Sequence, residues 1–191
     1  MQTDIFANEL LNKAGGILIS DIIDNEQIVL LGKSNIPNRL NEYEGFGGKY
    51  ESCDLTSLHT AIREMIEEFF NIRASTEFIN NLAVAIIYSN IIIKRFELYG
   101  MSYLINLDGL DFIFKNLIFF DNNLLKYKLD DKFNYKLYFQ ERIITDIPSN
   151  GINEIQSLHV IKIADIKNKI YDLRWYTSKI IFEMIIKNKK K

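Results

Sequence analysis

The apolar positions change their period several times along the chain, and each change marks an element. AGGILISDII, residues 14–23, reads as a buried strand, and QIVLLG, residues 27–32, as a second. Asp24-Asn25-Glu26 between them has turn chemistry, so the two runs predict a β-hairpin. KSNIPNRLNEYEGFGG, residues 33–48, is polar and rich in turn formers and predicts one long loop, of a length that is more often functional than idle. From Thr56 to Phe70 the period becomes helical. Leu58, Ala61, Ile62, Met65 and Phe69 share one face, and Asp54 or Thr56 stands where a cap belongs. Glu64, Glu67 and Glu68 stack at i, i+3 and i+4 on a different face.

Beyond that helix the pattern is less regular. EFINNLAVAIIYSN, residues 77–90, and RFELYGMSYLINL, residues 95–107, are rich in β-branched and aromatic residues and predict strands. Residues 108–145 fit either period, so the pattern assigns them nothing. EIQSLHVIKI, residues 154–163, alternates and predicts a last strand. YDLRWYTSKIIFEMIIKNK, residues 171–189, spaces Leu173, Tyr176, Ile180 and Met184 as a helix. Strands flanked by two clear helices predict a mixed α/β sandwich.

Composition narrows the class. The 191 residues fit one domain, 1–191, large enough to bury a full core. Hydrophobic and charged contents of 48% and 25% are those of a globular chain. The single cysteine, Cys53, has no internal partner, which points to a reducing, cytoplasmic compartment. MQTDIFANELL carries acids where a signal peptide is basic, and the longest apolar runs, such as LAVAIIY at 82–88, are far shorter than a membrane span. No membrane partner is expected. A net charge of −2 excludes a strongly basic nucleic-acid binder, and no stable DNA binding is expected. The C-terminal KNKKK reads as a solvated helix end. Heavy use of Ile, Asn and Lys with only two prolines matches an AT-rich genome.

The chemistry gathers in GGKYESCDLTSLHTAIREMIEEFF, residues 47–70. Three carboxylates within one helical turn repel one another, and Arg63 is the only cation beside them in sequence. A divalent metal is the missing partner, and hard oxygen ligands suit Mg²⁺ or Mn²⁺. Gly47-Gly48 ahead of the helix lets the backbone approach a ligand closely.

Together these parts resemble the Nudix box. That family's signature is Gly, five residues, Glu, seven residues, then Arg-Glu-hydrophobic-x-Glu-Glu-x-Gly-hydrophobic. Here it reads Gly48, five residues, Asp54, eight residues, then Arg63-Glu64-Met65-Ile66-Glu67-Glu68-Phe69-Phe70. YEGFGGK, residues 43–49, is similar to the family's lead-in, and the hairpin ahead of it to the usual Nudix opening. Three departures stand out. Asp54 replaces the first glutamate, one extra residue precedes Arg63, and Phe70 stands where the closing glycine belongs.

The resemblance implies a Nudix-like α/β/α sandwich with a mixed central sheet and a catalytic loop-helix. It implies Mg²⁺- or Mn²⁺-dependent hydrolysis of a nucleoside diphosphate linked to something else. Glu64, Glu67 and Glu68 are then the metal ligands, with the Gly47 carbonyl completing the shell. Asp54 pairs with Arg63, which orients the glutamates, and Gly48 is structural. Glu154 sits where many members supply a further acid, as a distal ligand or base.

Around that centre Tyr43 and Phe46 are candidates to line the substrate pocket, and Lys49 and Arg39 to contact phosphates. His59 and His159 read as structural, and Cys53 lacks the histidine motif of a thiol nucleophile. The divergent box and residue bias also resemble the Nudix proteins of poxviruses and giant viruses, which remove the mRNA cap. On that resemblance the partner is capped RNA, met by Lys126, Lys128, Lys132 and Lys136, and the compartment is the host cytoplasm. The alternatives are a small-molecule pyrophosphatase acting on dinucleoside polyphosphates, nucleotide sugars or inositol pyrophosphates, and a nucleotide-binding module without activity. Tyr88 lies near a tyrosine of some dinucleoside polyphosphate hydrolases.

Overall fold

The opening hairpin forms as its pattern predicts. β1 (Ala14–Ile23) and β2 (Glu26–Ser34) pair antiparallel, with Ile19 opposite Leu30. Asp24 and Asn25 join them at φ 50° and 63°, left-handed conformations that a two-residue turn requires and these residues tolerate. The computed structural model describes residues 14–70, 73–98, 100–120, 144–145, 154–168 and 172–188.

The single loop expected over 33–48 is instead partly sheet. Lys33 and Ser34 finish β2, and Pro37–Arg39 make a 3-10 turn. β3 (Tyr43–Glu44) then pairs with β2, and β4 (Phe46–Lys49) pairs with β1. Main-chain hydrogen bonds to the hairpin are available whatever the side chains are, so polarity misread this segment.

α1 (Ser57–Phe70) follows, one residue later than Thr56. α2 (Thr76–Ser89) corrects the strand expected at 77–90. Ser75 caps it by accepting the Phe78 N–H at 3.2 Å, and Asn90 ends it at φ 54°. Phe78, Ile79, Leu82, Ala83 and Ile86 form its buried face, a helical spacing hidden by a high content of β-branched residues. Tyr88 is exposed on its outer side.

β5 (Lys94–Glu97), β6 (Met101–Ile105), α3 (Leu107–Phe120), β7 (Ile144–Thr145), β8 (Ile155–Lys162) and α4 (Trp175–Asn188) complete the described elements. α3 takes the start of the unassigned stretch 108–145. Residues 121–143, including Lys126, Lys128, Lys132 and Lys136, lie outside the described residues.

The sheet runs β5-β6-β1-β2-β8-β7, with β3 on β2 and β4 on β1. It is mixed: β1 and β6 are parallel and the other described pairs antiparallel. Alternation along β1 and β2 gives each face a core. Ile17, Ile19 and Leu30 pack with α1, α2 and α3 on one side. Leu18, Val29 and Leu31 pack on the other with Ile180 and Ile181 of α4. The architecture is an α/β/α sandwich. No described helix is long and apolar enough to cross a membrane.

Candidate active site

The loop between β4 and α1 is held by one guanidinium. Arg63 is 5% exposed. Its Nε donates to Asp54 Oδ1 at 3.1 Å and its Nη2 to Asp54 Oδ2 at 3.0 Å, a bidentate pair. Nη2 also donates to the Lys49 carbonyl at 2.9 Å, tying the helix to the end of β4. Nη1 reaches Glu64 at 2.9 Å and Glu67 at 3.3 Å.

The shorter Asp54 arm therefore still closes on Arg63. A tight turn, Asp54 N–H to the Glu51 carbonyl at 2.9 Å, and the later helix start absorb the extra residue. Asp54 also accepts from Thr60 and from the Glu51 amide, each at 3.0 Å. Burial pushes the Asp54 carboxyl up, and the Arg63 hydrogen bonds and charge outweigh it, so its pKa lies below the usual value. Thr56 opens the α1 ladder with its carbonyl, while its hydroxyl lies 2.7 Å from His59 Nδ1 and shares a hydrogen bond with it.

β4 brings the glycines against the same helix. A Cβ on Gly48 would overlap the Glu64 carboxyl group, and one on Gly47 would overlap β1 at Gly15 and Gly16. Gly47 donates its N–H to Glu68 Oε2 at 2.8 Å. Glu68 is 6% exposed, and its pKa is raised well above the ordinary value. Burial is the main cause, reinforced by the charges of Glu44, Glu64 and Glu154 and opposed by the Gly47 amide. Glu64 is also raised, first by burial, then by Glu67 and Glu154, with Arg63 opposing. Glu67 reaches Arg73 at 3.5 Å besides Arg63.

Glu154 is exposed just before β8, and its charge contributes to raising both Glu64 and Glu68. Among the described residues no trio of acid, histidine or cysteine side chains stands gathered around one point. Glu64 and Glu67 are turned to Arg63, and Glu68 to the Gly47 amide. The donor set nonetheless fits a hard divalent cation: every group is a carboxylate or main-chain oxygen, and buried Glu68 sits among like charges. Glu64, Glu67, Glu68 and Glu154 are the side chains that would hold it, with the Gly47 carbonyl beside them.

Two sequence candidates fall elsewhere. Phe46 is 1% exposed and packs edge-on to Phe69 at 5.2 Å, inside the core beneath α1. Tyr43 is 8% exposed, with its ring edge-on to His159 at 5.0 Å, in the core of the opposite face. Short strands β3 and β4 bury these rings as sheet residues, and neither lines the cleft that opens at the glycines. Arg39 is drawn to Glu44 Oε2 at 3.4 Å. Lys49 remains exposed at the mouth of a cleft of about 210 Å³.

That cleft begins at the glycines. Gly47, Gly48 and Lys49 form one wall, and Arg174, Trp175 and Tyr176, at the start of α4, form another. Trp175 is 47% exposed, with Lys179 over its ring at 5.0 Å. Arg174 lies over the Tyr176 ring at 4.8 Å and pairs with buried Glu44. Sequence reasoning missed Glu44, Arg174 and Trp175. Glu44 stands inside YEGFGGK, but its partner is 130 residues away.

No protein-family model and no curated protein matches the chain. Among solved structures it is similar to a C. elegans Ap4A hydrolase in a binary complex, at 14% identity and a TM-score of 0.43. That alignment covers 93% of this chain and 99% of the other. It is also similar to a bifunctional NMN adenylyltransferase/ADP ribose pyrophosphatase from Francisella tularensis, complexed with AMP and a Mn ion. There the identity is 16%, the TM-score 0.46, and the alignment covers 97% of this chain and 44% of that one. Likeness at this level leaves the chemistry to the site's own residues.

Proposed function

We propose that the chain is a Nudix-type hydrolase that uses Mg²⁺ or Mn²⁺ to cleave a pyrophosphate bond in a nucleoside diphosphate-linked small molecule. One observation carries the reading. The Arg63-clamped loop-helix carries Glu64, Glu67 and Glu68 within two turns beside the Gly47-Gly48 strand, and a cleft opens from the same glycines. In this reading residues 1–191 form one catalytic domain.

Glu64, Glu67 and Glu68 hold the metal, with Glu154 and the Gly47 carbonyl as further donors. When bound, the ion supplies charge neutralisation for the diphosphate and Lewis acidity toward the attacking water. Arg63 fixes the spacing of the glutamates while its own charge is answered by Asp54. Lys49 and Arg174 border the cleft and offer positive charge to a phosphate chain that extends along the glycines. Trp175 gives an aromatic surface on which a base can stack.

The cleft, about 210 Å³, is smaller than the roughly 300–1,000 Å³ of pockets for drug-sized ligands. It suits one ring system attached to phosphates. The cap of an mRNA remains the finer expectation of the sequence, and its candidate lysines lie outside the described residues. The small cleft supports a free nucleotide, such as a dinucleoside polyphosphate, that seats one ring system with its phosphates.

The test is incubation with Mg²⁺ or Mn²⁺ and three substrates: diadenosine polyphosphate, ADP-ribose and cap-labelled RNA. Cleavage of a small nucleotide is expected. Release of methylated GDP from RNA alone would replace this substrate class with the cap. Glu67→Gln should lose more than the ~10–100-fold typical of outer-shell metal contacts. Full activity in that variant would end the metal assignment.

A further inference from the structure

Glu44 is a buried acid that the loop-helix does not account for. It lies on β3, outside the helix stripe, and is 1% exposed. Its Oε2 accepts from three donors: Arg174 Nη1, Arg39 Nη1 at 3.4 Å and the Tyr176 hydroxyl at 3.4 Å. Its Oε1 is shielded from solvent and has no hydrogen-bond partner among the described residues. A buried acceptor atom left without a hydrogen bond costs its desolvation and calls for a reason.

The position of that oxygen supplies a reason. The cations gather on Oε2, so Oε1 is the atom left for the other side of the carboxylate. Glu68 approaches this part of the site from the helix, its carboxylate meeting the strand at Gly47. Three residues along from Glu44, Gly47 gives its amide to Glu68, so β3, β4 and α1 converge there. Glu44 thus brings to this junction a buried carboxylate with one unfilled oxygen and an outer shell already built on the other. Metal-ligating carboxylates are characteristically hydrogen-bonded through the oxygen that does not bind.

We propose that Glu44 is a further ligand of the divalent cation, presenting Oε1 from the strand side to an ion that Glu68 holds from the helix side. Arg39, Arg174 and Tyr176 are its outer shell. The inference rests on the metal-dependent reading above and adds a ligand absent from the helix stripe. It also links cation affinity to α4, because Arg174 and Tyr176 open that helix.

The experiment is Mn²⁺ binding without substrate, followed by the EPR signal of the free ion, for wild type, Glu67→Gln and Glu44→Gln. Near-UV circular dichroism checks the fold of each. Folded Glu44→Gln should weaken Mn²⁺ binding at least tenfold. If Glu44 only anchors α4, this variant loses thermal stability but keeps the wild-type isotherm, which overturns the proposal. Weakening in Glu67→Gln alone leaves the proposed function standing and removes this ligand. A wild type that binds no Mn²⁺ removes both.

A measurement on the wild type serves if Glu44→Gln does not fold. In a Mg²⁺ titration followed by arginine side-chain NMR, the Nε–H resonances of Arg63 and Arg174 should shift with one midpoint. Movement of Arg63 alone overturns the Glu44 assignment.

Discussion

Arg63→Met tests how the loop-helix is held. The substitution keeps the length of the apolar stem and removes five donors at once. Asp54, 3% exposed, then loses both guanidinium bonds and stays a buried charge with Thr60, the Glu51 amide and the weak Cys53 thiol as donors. Breaking a buried pair by removing one partner typically costs about 3–5 kcal/mol. For a chain of this size each kcal/mol lowers Tm by roughly 2–4 °C, so a loss of roughly 6–20 °C follows. Urea unfolding of Arg63→Met, Asp54→Asn and the double variant gives the coupling directly. The double variant leaves no orphaned charge, so it should be more stable than the sum of the single losses by about 0.5–3 kcal/mol. A single-variant loss below about 1 kcal/mol, or strict additivity, would refute the view that Arg63 is the clamp.

Two further outcomes separate chemistry from packing. Gly48→Ala meets the far end of the flexible Glu64 side chain, so Tm should fall only slightly while Mn²⁺ affinity and hydrolysis drop at least tenfold; an unchanged Mn²⁺ isotherm would contradict this. His59 is buried, and that burial depresses its pKa despite the opposing Asp54 charge. At pH above its unfolded value of about 6.5 its contribution is complete. As pH falls below 6.5 the unfolded chain takes up the proton first, and stability declines by at most about 1.4 kcal/mol per pH unit until the folded pKa is passed. Urea unfolding at pH 7.5 and 5.5 should show that decline shrinking in His59→Gln, and parallel profiles would refute it.

What the sequence revealed about the site was local. The Asp54–Arg63 pair, the glutamate stripe and the glycines lie within one short stretch, and their spacing alone places them together. The hairpin was legible for the same reason, since its turn residues sit between its strands. α2 was not, because its Ile-rich run satisfies two periods and only burial of Phe78, Leu82 and Ile86 decides between them. Tyr43 and Phe46 were near the site in sequence, but sheet pairing turned them into the two cores. Glu44 and Arg174 were invisible as a pair, because no local pattern records a contact across 130 residues.

That long separation has a consequence for how the protein is made. Every donor and acceptor of the Arg63 clamp lies between Lys49 and Glu67, so this half of the site can assemble early in synthesis. Glu44 is translated among the first strands but receives its Arg174 counterion only when α4 has left the ribosome. Until then a nascent chain carries a loop-helix beside a strand acid that lacks its Arg174 partner, and a helix made long after the clamp supplies it.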